Sequence, residues 1–198
     1  MEDFLNQYIF HWTAEKAIFI NGHPLLWDAR CAGIYVGFGI GIIYLFLSGR
    51  KHKNLPPLPI LIANTFMLMP MFIDLISIWI GMRTPSNDTR YLTGILFGGA
   101  ISIYIYPAFV VLVLSSGQDQ AVIGSLVKYG LFLFLSLGGY FIKNIDRYSI
   151  FVSLNSLSIF GFLCLLFLLL ISSTMAAAKI AGFEADNTEK FSKKCKNN

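Results

Sequence analysis

The stretch CAGIYVGFGIGIIYLFLS, Cys31 to Ser48, decides the fold. It holds no charged residue over eighteen positions and ends at the basic run Arg50-Lys51-His52-Lys53. A helix needs about 20 mostly apolar residues to cross about 30 Å of hydrocarbon, so this stretch reads as a membrane span. Gly33, Gly37 and Gly41 recur four apart, with Gly39 between them. Glycines at that spacing line one helix face and admit a neighbouring backbone at close range. Tight packing inside a bundle is the expected use, ahead of a dimer seam.

Four more stretches qualify further along the chain. They run from about Leu58 to Met82, Tyr91 to Leu114, Ala121 to Ile142, and Ile150 to Ala177. Residues 1–30 are too polar to span, and no positive n-region followed by an apolar run marks a targeting peptide. The expectation is an all-α, polytopic transmembrane helical bundle of about five spans. Residues 1–30 form an N-terminal interfacial segment, 31–180 the bundle, and 181–198 a polar basic tail. That tail reads as disordered by composition, a kind of segment that orders most readily against a partner.

Composition agrees with a bilayer. Of 198 residues 56% are hydrophobic and 13% charged, and the mean hydropathy is +0.65. Soluble chains carry about 25% charge. Such an apolar excess excludes disorder, a coiled coil and a disulfide-stapled fold. The net charge of +4 does not indicate nucleic acid, because the basic residues form no single patch. They follow the loops instead. With the N-terminus outside, Arg50, Lys51, Lys53, Lys179, Lys190, Lys193, Lys194 and Lys196 lie inside. Lys16, Arg30, Arg83, Arg90, Lys143 and Arg147 lie outside, and Lys128 falls within the fourth span. Short basic loops face the cytoplasm, so the reading is a multi-pass cell-membrane protein, N-terminus out and C-terminal tail in.

Two prolines, Pro70 and Pro107, fall inside spans and should kink them. Met67, Met69 and Met71 surround the first. Thioethers can hold copper, but methionine also fills the irregular space that a kink leaves, and filler is the preferred reading. Cys31, Cys164 and Cys195 form no C-x-x-C pair.

An ionisable group inside a span is expensive and becomes a functional candidate by default. Asp74 is the clearest, about two turns from the outer end of the second span. Topology brings His11, Asp28, Arg30, Cys31, Arg83, Asn87 and Arg90 to the same side. Asp74 and His11 are therefore the catalytic candidates, as general base and acid. Arg30, Arg83, Asn87 and Arg90 are the binding candidates, since guanidinium forks suit phosphate and carboxylate. The blander reading has the arginines neutralise Asp74, Asp28 and Asp88 and hold the outer end of the bundle. His11, Cys31 and Asp74 also offer zinc or copper donor types, as a weak metal candidate. No cofactor is expected. Transport ranks low, with Asp74 and Lys128 the only charges deep in spans and no duplicated halves.

These residues resemble a family of prokaryotic predicted membrane proteins, domain-of-unknown-function family 2085. Its members typically carry a Cys-His-Gln segment, a Pro-Glu-Arg-Ser segment, a Cys-x-Arg-Cys-Thr-Gly-Ile-Tyr entry to the first span, an Asp in a later span, and an Asn-x-x-Arg-x-x-Thr-Gly element. Here the matching stretches are Phe10-His11-Trp12, then Ala14-Glu15-Lys16-Ala17, then Asp28-Ala29-Arg30-Cys31-Ala32-Gly33-Ile34-Tyr35. Asp74 and Asn87-Asp88-Thr89-Arg90-Tyr91-Leu92-Thr93-Gly94 complete the pattern. The resemblance covers His11 to Gly98. Phe10 and Asp28 replace two family cysteines, so a site of several outer thiolates cannot form around Cys31. The family implies a membrane location and no particular reaction.

No nucleophile–base pair, phosphate-cradling glycine loop or metalloprotease helix motif appears. The leading expectation is therefore a non-catalytic accessory or structural subunit of a larger membrane complex, such as a respiratory or monooxygenase assembly. Its partners would be the lipid bilayer and other membrane subunits, not nucleic acid. The alternative is a membrane enzyme or binder for an anionic headgroup at the outer His/Arg/Asp cluster.

Overall fold

A computed structural model describes residues 16–48, 52–111 and 118–196. The chain opens with two antiparallel strands, β1 (Ala17–Ile20) and β2 (His23–Asp28). Their two-residue turn is Asn21-Gly22, with φ of 52° and 76°. Positive φ at both central residues is what a type I′ hairpin loop requires, and Asn-Gly is its strongest sequence signal. The polar opening segment thus contains a hairpin, an element absent from the all-helical expectation. His11 lies outside the described residues.

Helix α1 (Ala29–Ser48) follows without a break. Asp28 caps it, its carboxylate accepting the Cys31 N–H at 2.8 Å. The second span divides into α2 (Leu58–Phe66) and α3 (Met69–Trp79), separated by a turn at Met67-Leu68. Pro70 sits in the first turn of α3, where its missing N–H is harmless, so the proline marks a new helix start rather than a bend. Met67 and Met71 are half-buried beside this break and Met69 is exposed.

The third span is α4 (Asn87–Phe109), and it begins four residues before Tyr91. Helix α5 (Leu126–Ile142) starts later than Ala121, because Gln118–Ala121 forms strand β4, parallel to β3 (His52–Asn54). Ser125 caps α5 by accepting the Lys128 N–H. Lys128 therefore occupies the exposed first turn and is not a cation deep in a span. Helix α6 (Tyr148–Lys196) runs 49 residues and carries the tail as helix. No proline interrupts it and Ala, Lys and Glu are frequent there, which explains why the polar composition continues the helix.

Four segments are long and apolar enough to cross a membrane: Ala29–Ser48, Leu58–Trp79, Asn87–Phe109 and Tyr148–Met175. Helix α5, with 17 residues, is the shorter apolar fifth. The protein is an all-α multi-pass bundle. One face carries the hairpin and the opposite face carries β3 and β4.

Helix α1 is its axis, and glycine contacts hold it on two sides. A Cβ added at Gly33, Gly37 or Gly98 would collide with the carbonyl oxygens of Tyr91, Ile95 and Ile34, respectively. One at Gly94 would stand 2.5 Å from the Arg30 oxygen. Towards α6, one at Gly39 would meet the Leu157 oxygen at 3.2 Å, and one at Gly161 would collide with the Tyr35 oxygen. The glycine row is an intramolecular seam. Two apolar clusters lie along it. Ile18, Leu25, Val36, Tyr91, Ile95 and Leu154 pack on the hairpin side, and Leu45, Ile60, Ile103, Ile123 and Phe132 pack nearer the other face.

The seam yields a paired prediction. Gly98→Ala should lower thermal stability in detergent, by about 2 kcal/mol or more, because rigid backbone cannot move aside. Gly130→Ala, in α5 with no atom within 4 Å of the added methyl, should leave stability equal or higher by about 0.5–1 kcal/mol. Equal effects at the two sites would contradict the seam.

Candidate functional site

Asp74 is the single buried residue of α3, with its side chain 2% exposed. Two arginines converge on it. Arg30, in the first turn of α1, donates from a terminal nitrogen to Asp74 Oδ2 at 2.6 Å. Arg83 pairs with Asp74 Oδ1. The local fold explains how a residue nine positions later reaches back. Gly81, at φ 73°, ends α3 in a left-handed cap. Met82 N–H donates to the Ser77 carbonyl at 2.9 Å and Gly81 N–H to the Ile78 carbonyl at 3.1 Å. This Schellman pattern reverses the chain directly after the helix.

Arg90 and Asn87 form the neighbouring part of the cap. Arg90 donates to Asn87 Oδ1 at 3.4 Å, and Asn87 Nδ2 donates to the Ala17 carbonyl of β1 at 3.1 Å. Close packing of Gly94 on the Arg30 backbone sets the start of α4 beside the start of α1. Thus the structure unites Arg30, Asp74 and Arg83 in one ion network, with Asn87 and Arg90 paired at the same end. Cys31 and Asp28 serve the α1 cap. Among the described residues no three His, Cys, Asp or Glu side chains gather as metal ligands.

Asp88 departs from the expected scheme. It pairs with Lys143 at 2.6 Å and not with an arginine. Lys143 comes from the end of α5, and its side chain is 7% exposed. Lys143 also lies over the Tyr140 ring, 4.9 Å from its centroid. Sequence reading placed Lys143 only as a loop charge. Its position at a helix C-terminus, where cations are favoured, was the available signal.

The charge balance of the cap follows from these pairs. Both Asp74 oxygens are occupied by guanidinium groups, so this carboxylate carries two positive charges against its one. The Arg30 Nε is buried and has no hydrogen-bond partner among the described residues. Beside Arg83, Trp79 and Met82 are 87% and 78% exposed. Tryptophan is a residue type that favours the headgroup level of a bilayer.

The comparisons with known proteins bear on the same half of the chain. The family described as "Predicted membrane protein (DUF2085)" matches residues 10–104. An uncharacterized protein of Methanocaldococcus jannaschii is 36% identical over 102 residues, 51% of this chain. The chain spans 64% of that relative's length. An uncharacterized protein of Methanothermobacter thermautotrophicus is 30% identical over 97 residues, 49% of this chain and 84% of its own. No solved structure matches. The matched region contains the hairpin, α1 to α3, most of α4 and the whole arginine–aspartate network, and the chain belongs to the DUF2085 family of predicted membrane proteins.

Proposed function

We propose that the chain is a non-catalytic multi-pass membrane protein that holds an anionic lipid headgroup at the cap formed by Arg30, Asp74, Arg83 and Arg90. The observation that carries this reading is the pair of guanidinium groups on one buried carboxylate. A single arginine would neutralise Asp74. The second leaves surplus positive charge, and Arg90 adds to it. The Arg30 Nε, buried without a hydrogen-bond partner among the described residues, costs about 1–3 kcal/mol. A phosphate or carboxylate answers the extra positive charge, and exposed Trp79 is a residue type that favours headgroup depth.

The same geometry argues against catalysis by Asp74. A guanidinium on each oxygen holds Asp74 in its charged form, which disfavours its taking a proton as a general base. Asp74 acts instead as a positioning residue that sets the two guanidinium groups and ties α3 to α1.

A second reading, an accessory subunit of a larger membrane complex, draws on α6. Its 49 residues make about 74 Å of helix at 1.5 Å per residue, against about 30 Å of hydrocarbon. The segment beyond Met175 continues past the apolar span and offers a helix to a partner. Gentle extraction from native membranes tests this. Co-purifying subunits support it, and a free monomer overturns it.

The orientation belongs to the same proposal. The hairpin face is outside and the β3–β4 face, with the basic loop and tail, is cytoplasmic. A fluorescent protein fused after Asn198 should therefore fluoresce and a periplasmic phosphatase fused there should be inactive. The reverse pair of results overturns the orientation.

The lipid cap is tested by native mass spectrometry from mixed nanodiscs. The wild type should retain phosphatidylglycerol over phosphatidylcholine, and Arg90→Gln should weaken that preference about tenfold, at unchanged thermal stability. Equal retention of both lipids by the wild type overturns the reading. Asp74→Asn should lower stability instead, by about 3 kcal/mol, the lower end for a broken buried pair because Arg83 is 41% exposed.

A further inference from the structure

We propose that a second site, a polar cleft beneath the hairpin, binds a neutral polyhydroxyl group, either a sugar or a polyol. The cleft has a volume of about 470 Å³ and lies between β1 with its turn, the first residues of α4, and the α5–α6 turn. Small-molecule sites commonly occupy about 300–1,000 Å³. It is distinct from the arginine cap, and Asn87 alone stands in both.

The lining selects the ligand class. Its charged groups already hold protein partners, one ion pair and one backbone N–H. Lys143 Nζ lies 2.6 Å from Asp88 Oδ1 and 3.2 Å from Asn144 Oδ1, and Asp146 Oδ1 accepts the Asn21 N–H. An incoming anion meets Asp88 and Asp146, whereas an incoming cation meets Lys143. An anion is repelled by both carboxylates, and a cation competes with Lys143 for Asp88. Hydroxyl groups donate and accept at once, so they can insert among amides and carboxylates without displacing a charge. Asn21 and Asn144 add amide groups of the same two-way character.

Phe19 supplies the apolar half of the site. It belongs to the lining and is 55% exposed on a strand whose other three residues are buried. A ring left exposed at the edge of a polar cleft offers its negative face to the C–H bonds of a sugar. The rim is also held in place. Asp146 fixes the Asn21-Gly22 turn, Asn87 holds the Ala17 carbonyl, and Asn155 accepts the Leu26 N–H at 3.2 Å. Preformed walls reduce the ordering cost of binding.

Two sources can supply such a group, a free saccharide or a glycolipid headgroup. The test therefore has two arms. Saturation-transfer NMR on the full chain in nanodiscs uses methyl glycosides of glucose, galactose and N-acetylglucosamine, together with inositol. Native mass spectrometry uses nanodiscs doped with diacylglycerol glycosides of the same three sugars. Binding is expected in at least one arm, and the arm that responds identifies the source. Phe19→Ala and Asn144→Ala, both at exposed positions, should each weaken binding about tenfold at unchanged thermal stability. Arg83→Gln, whose ion pair is with Asp74 of the cap, should leave it intact, which separates this site from the lipid cap. Absence of binding in both arms, or full-strength binding in both cleft variants, overturns the proposal.

Discussion

The closest physical constraint on this protein is the approach of the α1 backbone to α4 and α6. Lipid tails are as apolar as leucine, so the hydrophobic effect does not drive one span onto another in a bilayer. Close packing must do so, and side chains at the contact would hold the axes apart. Helix α1 removes them on two sides. Gly33 and Gly37 face α4, while Gly39 meets Gly161 of α6. Several polar groups at the hairpin face take their positions from that contact. It sets the start of α4 beside the start of α1, so that Asn87 reaches β1 and Gly94 lies on the Arg30 carbonyl. It also brings α6 beneath the hairpin, where Asn155 and Asp146 hold the strands.

The second span is fastened differently. Helix α3 exposes Phe72, Ile73, Ile76 and Trp79 and buries only Asp74. In α2, Asn64 is fully buried and donates to the Ala100 carbonyl at 3.0 Å, and Thr65 shares a 2.8 Å hydrogen bond with Tyr104. This span turns most of its apolar side chains to the surroundings and Asn64 and Asp74 to the bundle, which suits hydrocarbon, where a polar group gains most from a protein partner. The break at Met67-Leu68 separates its two attachments, amide and hydroxyl to α4 on one side, carboxylate to α1 on the other.

Legibility in the sequence followed the same division. The glycine spacing announced the seam because its meaning is local: residues four apart share a helix face whatever the rest of the chain does. Asp74 and its arginine partners were legible from cost, since a charge at that depth needs a counter-charge and topology limits the candidates. The strands were harder to read. Gln118–Ala121 continues into an apolar run, so hydropathy alone set the start of α5 at Ala121 and buried Lys128 in a span. Only pairing with His52–Asn54, remote in sequence, makes that segment a strand. The Lys143–Asp88 pair was hidden likewise, because its partners stand 55 positions apart and meet only once α4 and α5 are packed. The Asn21-Gly22 turn was a local signal in plain view, outweighed by the polarity of the segment around it.

The cap shows why a structural ion network and a binding site need not be competing descriptions. If Asp74 served only to tie α3 to α1, Arg30 would suffice, and a second arginine would add desolvation cost for a charge already balanced. Arg83 is instead delivered by a glycine cap that turns the chain back on itself, and it keeps 41% of its side chain exposed. Its exposure limits that cost. The carboxylate thus does two things with one charge. It locks two helices together, and it orders two guanidinium groups on its two oxygens, the arrangement that the proposed anion-holding role would use. Arginine side chains lose about 2 kcal/mol of rotamer freedom when fixed. Fixing them during folding means that binding does not bear that cost again.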